Sequence, residues 1–111
     1  MPIVETTITV SIPEGGATLA ELEAVVARAV EEAGRRLLRA ACAEVEEQEL
    51  RRLRRRVQQV KVRPLDMLTR FSWVRLERRQ VVEGGRYTCP VDKVLGLGPR
   101  QHASPWYRTK L

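Results

Sequence analysis

Residues 3–12 alternate between a mainly apolar side and a mainly polar side, and many of them are β-branched. In an extended chain, one side would carry Val4, Thr6, Ile8, Val10 and Ile12. Alternation of this kind is typical of a half-buried β-strand. Pro13 follows, and a proline has no N–H to donate to a neighbouring strand. The pattern therefore predicts an N-terminal strand over residues 1–13.

A helical period begins after the glycine loop at residues 14–16. Thr18 and Glu21 have the spacing of a capping box, in which the threonine side chain binds a free amide of the first helical turn. Apolar residues then recur mostly every three or four positions: Leu19, Leu22, Val26, Ala29, Ala33, Leu37, Ala40 or Ala41, Val45, Leu50, Leu53 and Val57. This period predicts one long amphipathic helix over residues 18–59.

The length of this helix poses a packing problem. At about 1.5 Å per residue it would extend about 60 Å, which exceeds the diameter of a small globular domain. We expect it to bend near Gly34, to break around residues 46–49, or to pack against another copy of itself. Pro64 ends any helix by that point. Residues 57–62 contain three valines, so an extended conformation is an alternative for that stretch.

A β-hairpin is predicted over residues 67–90. Its expected buried side chains are Phe71, Val74 and Leu76. Their spacing of three and then two departs from strict alternation, and such a departure predicts a β-bulge near residues 72–73.

Gly84-Gly85 suits the two-residue turn of this hairpin. Such a turn would pair Val82 with Tyr87 and Glu83 with Arg86. A short helix and a basic, aromatic tail are expected over residues 91–111. Together the elements predict a single α+β domain over residues 1–111, in which the first strand joins the hairpin sheet and the long helix covers one face.

Charge divides the chain into two halves. Residues 1–50 carry ten Glu and four Arg, a net charge of −6. Residues 51–111 carry sixteen Lys or Arg and four Asp or Glu, a net charge of +12. This asymmetry indicates a polyanionic partner for one end of the molecule. A solvated charged surface is the alternative.

The arginines that follow Leu50 interleave with apolar residues, so they occupy the opposite face of the predicted helix as a basic stripe. Such a stripe neutralises phosphates, and its binding depends on salt rather than on base sequence. We predict that it continues through the hairpin into the tail as one DNA-binding surface: Arg51, Arg52, Arg54, Arg55, Arg56, Lys61, Arg63, Arg70, Arg75, Arg78, Arg79, Arg86, Arg100, Trp106 and Arg108. Trp106 either stacks on exposed bases or folds back over the hairpin.

The composition argues against several other functions. One His and two Cys fall short of the four ligands of a structural zinc site, so neither a metal nor a cofactor is expected. The cysteines suggest no disulfide framework, which favours a reduced, cytoplasmic setting. No apolar run approaches the roughly 20 residues that span a bilayer, so no membrane association is expected. No nucleophile–base or paired-carboxylate spacing indicates an enzyme, and Asp92 is expected to be a turn or cap residue.

An ordered set of short motifs runs from about Glu23 to Trp106. It comprises VEEAGRRLL at residues 30–38, TRF at 69–71, VRLERR at 74–79, RY at 86–87, PVDKVLGL at 90–97 and Ser-Pro at 104–105. In this order the motifs resemble the N-terminal region of bacterial insertion-sequence transposases of the ISLre type, and Kra-type elements share part of the pattern. The resemblance implies a DNA-associated or multimerising accessory region that lies ahead of a catalytic nuclease domain and is itself non-enzymatic.

A second hypothesis assigns the function to the long helix. In this interpretation the chain is a protein-interaction or oligomerisation module, and two copies form a dimer through that helix. Charge reversal at Arg51–Arg56 would then leave function intact. Polar substitution at Leu22, Val26 and Leu37 would abolish it.

Overall fold

The computed structural model describes residues 1–108, including only the backbone of Tyr107 and Arg108. Its elements in chain order are α1 (Leu19–Leu53), a 3-10 turn (Arg54–Arg56), β1 (Gln58–Thr69), β2 (Ser72–Glu83), β3 (Arg86–Thr88), α2 (Pro90–Leu95) and α3 (Pro105–Arg108). The strands form one antiparallel sheet in the order β1-β2-β3. The predicted α+β class is confirmed.

Helix α1 begins where the sequence predicts. The backbone N–H of Glu21 donates to the hydroxyl oxygen of Thr18 over 3.2 Å, which satisfies one of the amides left free at a helix N-terminus. The helix continues without interruption through residues 46–49, so the expected break is absent. Gly34 also stays helical, and its role is close packing: a Cβ there would collide with the ring of Phe71.

Helix α1 ends earlier than predicted. Arg54 has a φ of 48°, which is outside the helical region. Its N–H donates to the carbonyl oxygen of Leu50. From Gln58 onward the chain pairs with β2, and Val60 lies in strand β1 rather than in the helix. The predicted end at residue 59 is wrong, and the alternative of an extended conformation for residues 57–62 is confirmed from Gln58 onward. Pairing with a distant strand decides this conformation, and the local apolar period does not reveal that partner.

Strands β1 and β2 are joined by a tight turn at residues 70–71. The Thr69 hydroxyl donates to the carbonyl oxygen of Ser72 over 2.8 Å and accepts the N–H of Phe71 over 3.1 Å. Ser72, with a φ of 78°, closes the turn and pairs with Thr69. The bulge predicted near residues 72–73 is therefore wrong, since the uneven apolar spacing marks a turn. The register shifts between Gln59 and Lys61 instead.

The glycine turn between β2 and β3 is confirmed. Gly84 and Gly85 have φ values of 58° and 81°, and two successive positive φ values suit a type I′ hairpin turn. The predicted pairing is also confirmed, with Val82 opposite Tyr87 and Glu83 opposite Arg86. Strand β3 is short, so it covers only the last three residues of β2.

Helix α1 is hydrogen-bonded to the β1–β2 hairpin at its turn and at strand β2. The Arg35 guanidinium donates to the carbonyl oxygen of Phe71 over 3.1 Å. Farther along, the backbone N–H of Arg79 donates to the carboxylate of Glu46 over 2.8 Å. Glu46 is only 4% exposed. The Glu46 carboxylate accepts the backbone hydrogen bond of Arg79 that a neighbouring strand would otherwise accept. Arg79 lies on the part of the β2 edge that β3 does not cover.

The C-terminal segment covers part of the free edge of β1. The Leu68 N–H donates to the carbonyl oxygen of His102 over 2.7 Å, and the Ser104 N–H donates to that of Leu68 over 2.8 Å. These bonds form a parallel bridge between Leu68 and Ala103. The other half of β1 remains an exposed edge, which is a position that tolerates Pro64.

The predicted N-terminal strand is wrong. Residues 1–13 pair with no strand in the described part of the chain. Arg36 donates to the carbonyl oxygen of Thr7 over 3.4 Å, which places this segment beside α1. A β-branched pattern supplies propensity, but a strand also needs a sheet edge within reach. The half of β1 that has a free edge lies beside the C-terminal end of α1, whereas residues 1–13 lie beside its N-terminal half.

The core lies between the C-terminal half of α1, β2 and α2. Its buried apolar residues are Ala33, Leu50, Leu53, Met67, Val74, Leu76, Val81 and Val91. Burial is confirmed for Val74 and Leu76, whereas Phe71 is half-buried. The N-terminal half of α1 leaves Val26 and Val30 exposed. The molecule is accordingly elongated, with extents of 63 × 31 × 24 Å.

Candidate nucleic-acid interface

The predicted binding residues fall into three structural settings. We define the helix-end cluster, where α1 ends and the sheet begins, as Arg54, Arg55, Arg56, Lys61, Arg63 and Arg86. We define the turn-end cluster, near the turn between β1 and β2, as Arg70, Arg75, Arg100 and Trp106. The arginines with partners on α1 or α2 are Arg51, Arg52, Arg78 and Arg79. The side chain of Arg108 lies outside the described residues.

The helix-end cluster is exposed throughout. The 3-10 turn holds Arg54–Arg56 beside the start of β1, where Gln58 pairs with Val82, and Arg86 follows the glycine turn at the same end of the sheet. One acid lies close: Glu83 is 3.8 Å from the Arg56 guanidinium. Within residues 1–108, the other five members of the cluster form no ion pair. The cluster therefore presents uncompensated positive charge.

Arg51 and Arg52 stay on α1, where acids of the same helix engage them. Arg52 donates to Glu49 over 2.6 and 3.0 Å, and this hydrogen bonding lowers the pKa of the Glu49 carboxyl. Arg51 donates to Glu44 over 3.4 Å. Exposed pairs of this kind add little stability, but they reduce the positive charge that the helix offers to a ligand.

Arg78 and Arg79 connect the sheet to the helices. Arg78 binds the Asp92 carboxylate over 2.6 Å, and its side chain is 16% exposed. Arg79 donates to Glu46 over 3.2 Å and also pairs with Glu47. Both guanidinium groups thus have acidic partners within the fold, so we leave these two residues out of the candidate interface. Asp92, expected to be a turn or cap residue, lies in the first turn of α2, where it pairs with Arg78. The N-cap residue of α2 is Cys89.

The turn-end cluster combines aromatic and basic side chains. The Arg70 guanidinium carbon lies 4.9 Å from the centroid of the Trp106 ring, a cation–π distance. Trp106 thus folds back on the hairpin turn and remains 37% exposed. Arg75 pairs with Asp66 over 3.0 Å, and this hydrogen bond raises the pKa of Arg75. Arg100 is exposed in the loop before α3.

The structure does not bring the two clusters into one continuous surface. Along β1 the nearest cations of the two clusters that form no ion pair within residues 1–108, Arg63 and Arg70, are seven residues apart, which is about 23 Å at about 3.3 Å per strand residue. Between them, Arg75 of the turn-end cluster is paired with Asp66, and Arg78 is bound internally. The cations of the predicted surface that form no ion pair therefore fall into two clusters.

Trp73 is a candidate that the sequence reasoning did not select. It is 56% exposed. Because Val74 and Leu76 are buried and successive strand residues point to opposite faces, Trp73 lies on the outer face of the sheet. Only the position of the turn at residues 70–71 reveals this alternation, and the sequence pattern misplaced that turn.

The two cysteines are half-buried free thiols. Burial raises the pKa of both Cys42 and Cys89, so each thiol stays protonated at neutral pH. Cys42 lines a cavity of about 290 Å³ between α1, β2 and α2. The polar neighbours Glu46 and Arg79 at that cavity already bind each other.

The described residues contain neither a cluster of metal-binding side chains nor a helix that could cross a membrane. No three His, Cys, Asp or Glu side chains within residues 1–108 come together in a way that would hold a metal ion. Over the same range, no helix has both the length and the apolar character needed to cross a membrane.

The fold and its clusters can now be compared with known proteins. A model of the uncharacterised protein family UPF0236 matches residues 13–111. The chain belongs to UPF0236. The match spans α1, the sheet and both short helices, and it begins at the end of the N-terminal segment. No curated protein and no solved structure matches the chain. Since UPF0236 is uncharacterised, membership assigns no activity, and function must be argued from the two clusters.

Proposed function

We propose that this UPF0236 chain is a non-catalytic, DNA-associated accessory module of a transposase-like protein and that its helix-end cluster binds the phosphate backbone. One observation carries the proposal: five exposed cations of that cluster form no ion pair within residues 1–108. The motif resemblance to ISLre-type transposases supports DNA as the polyanion. DNA in the bacterial cytoplasm is the setting in which such a module would act.

The chemistry of the cluster suits backbone contact rather than base reading. Arginine and lysine side chains neutralise phosphates and release counterions, so the logarithm of affinity falls with the logarithm of salt concentration. If all six members contact phosphates, we expect a slope of about −5 on duplex DNA. No helix carries this cluster into a groove, since the arginines lie in a 3-10 turn, a strand edge and a hairpin turn.

Charge reversal tests this proposal. In the triple variant Arg54→Glu, Arg55→Glu, Lys61→Glu, we expect duplex affinity to fall at least tenfold and the salt slope to become shallower by about 3. Fluorescence anisotropy with a labelled duplex across a salt series measures both quantities.

Arg28→Glu is the matched control, because Arg28 is exposed on the protruding half of α1. It should bind duplex DNA like the unmodified chain, apart from a weak non-local charge effect. Affinity that does not change with salt, or a triple variant that binds as tightly as the control, would contradict the proposal.

A second candidate function is self-association through α1, and a specific observation favours it. Large apolar side chains are exposed on the protruding half of the helix: Leu19, Val26 and Val30, which are 72%, 48% and 52% exposed. Exposed apolar residues at helical spacing are typical of a contact with another helix. Leu22 and Leu37, also candidates for this contact, are half-buried.

Sedimentation equilibrium tests self-association. If α1 forms a dimer, the mass should be twice the 12.7 kDa of one chain, and Val26→Glu should return it to one chain. Ala27→Glu adds the same charge at the adjacent exposed position and should leave the dimer intact. A single-chain mass for the unmodified protein at high concentration would rule this function out.

A further inference from the structure

The ring of Trp73 is exposed to solvent and is not part of the hydrophobic core. It lies on the outer face of β2, 56% exposed, while the core occupies the opposite face. Within residues 1–108, its indole N–H forms no hydrogen bond to the protein. A flat aromatic surface of this size is therefore available to a ligand.

The surroundings of Trp73 form an open groove. Pro64 and Asp66 of β1 line one side, and His102 lines the other. The C-terminal segment that carries His102 is fixed in place, since backbone hydrogen bonds of 2.7 and 2.8 Å join it to Leu68. A ring nitrogen of His102 also lies 3.2 Å from the Asp66 carbonyl oxygen. The walls of the groove are thus formed before any ligand binds.

The charges around the groove favour an anion at its Trp73 end. The two acids beside the groove are Asp66, which is paired with Arg75, and Glu77, which lies opposite Pro64 at the other end. At the Trp73 end the charged side chains are cations of the turn-end cluster: Arg70 is two positions beyond Leu68, the partner of Trp73, and Arg100 is two positions before His102. A planar face bordered by cations matches a nucleobase with its adjoining phosphates.

We propose that the groove at Trp73 is a stacking site for an unpaired base of single-stranded DNA. Base faces are covered by their neighbours within a duplex, so Trp73 needs a strand whose bases are unstacked. Trp73 lies opposite Leu68. Arg63 and Lys61 of the helix-end cluster are five and seven positions earlier on β1, about 17 and 23 Å away, which corresponds to about five to seven base pairs. This inference rests on the proposed function and defines its substrate as DNA with a duplex part and a single-stranded part.

Tryptophan fluorescence tests the stacking directly. The chain has two tryptophans, so a Trp106→Phe background makes Trp73 the reporter. Adding a single-stranded thymidine oligonucleotide to this full-length variant should quench its emission to saturation. As the control, a duplex whose two ends are closed by non-nucleotide linkers contains no unpaired base. It should leave the emission of Trp73 nearly unchanged.

Substitutions separate stacking from simple charge. Trp73→Ala should weaken binding of the single-stranded oligonucleotide about tenfold, the loss expected for one stacked base. Trp73→Phe should recover most of that affinity. Neither change should alter binding of the closed duplex or the thermal midpoint of unfolding, because Trp73 lies outside the core.

The outcomes distinguish this inference from the proposed function. Salt-dependent duplex binding together with an unquenched Trp73, or with a Trp73→Ala variant that binds the single strand normally, overturns the stacking site alone. Failure of both DNA forms to bind at low salt overturns both ideas. The triple helix-end variant should lose duplex affinity yet retain quenching by the single-stranded oligonucleotide.

Discussion

Gly34 shows how one missing side chain determines where the sheet lies. In an exposed helix interior, alanine is more stable than glycine by about 1 kcal/mol. Here the ring of Phe71 fills the space that a Cβ would need, and neighbouring Arg35 binds the carbonyl oxygen of Phe71. The turn of the β1–β2 hairpin thus packs against α1 at Gly34, where the absence of a side chain leaves room for the Phe71 ring.

Gly34→Ala should therefore destabilise the protein despite its better helix propensity. We expect the free energy of unfolding to fall by about 1–3 kcal/mol, the usual cost of overpacking. Urea denaturation measures this change. Phe71→Leu removes the ring, and in that background Gly34→Ala should cost less, since the two effects are coupled. A net gain in stability for Gly34→Ala alone would refute this account of the contact.

The first half of α1 depends on its own sequence more than on packing. Its neighbours include Thr7 and Pro13 of the N-terminal segment, and Leu19, Val26 and Val30 are exposed. Under these conditions the N-cap hydrogen bond between Thr18 and Glu21 has a large influence on helix formation.

Thr18→Ala should destabilise the N-terminal half of α1 without destabilising the rest of the fold. The lost cap costs about 1 kcal/mol, and we expect faster amide hydrogen exchange over residues 19–30. The global unfolding midpoint should move little, because the core lies at the other end of the helix. Thr18→Ser retains the acceptor oxygen and should exchange like the unmodified chain. Equal acceleration across residues 40–53 would show that the two halves unfold together.

Elements set by local chemistry were predictable from the sequence. The N-cap at Thr18 and the register across Gly84-Gly85 each depend on residues within five positions of one another. The end of α1 at residue 59 and the N-terminal strand were mispredicted because each depends on a distant partner, although the three valines of residues 57–62 did indicate an extended alternative there. Residues 58–59 enter a strand because Val81 and Val82 are available, while residues 1–13 lack such a neighbour.

For the whole molecule, dependence on distant partners also explains why only some of the predicted binding residues are free of acidic partners in the described structure. Composition revealed an acidic half and a basic half, but not which cations would remain unpaired. Arg79 is engaged by Glu46, which lies 33 positions earlier, and no sequence spacing predicts that pair. The elongated shape then separates the remaining cations into two clusters. Trp73, by contrast, became a candidate only once the turn at residues 70–71 fixed the strand alternation.

The hydrogen bonds between α1 and the β1–β2 hairpin also bear on the order of folding. Helix α1 and the β1–β2 hairpin form from local interactions, whereas Arg35 with Phe71 and Glu46 with Arg79 are 36 and 33 positions apart. We expect these distant contacts to form last, after the transition state. Gly34→Ala should then speed unfolding and leave the refolding rate nearly unchanged. A chevron plot measures both rates, and slower refolding would place the docking of helix and hairpin earlier in the pathway.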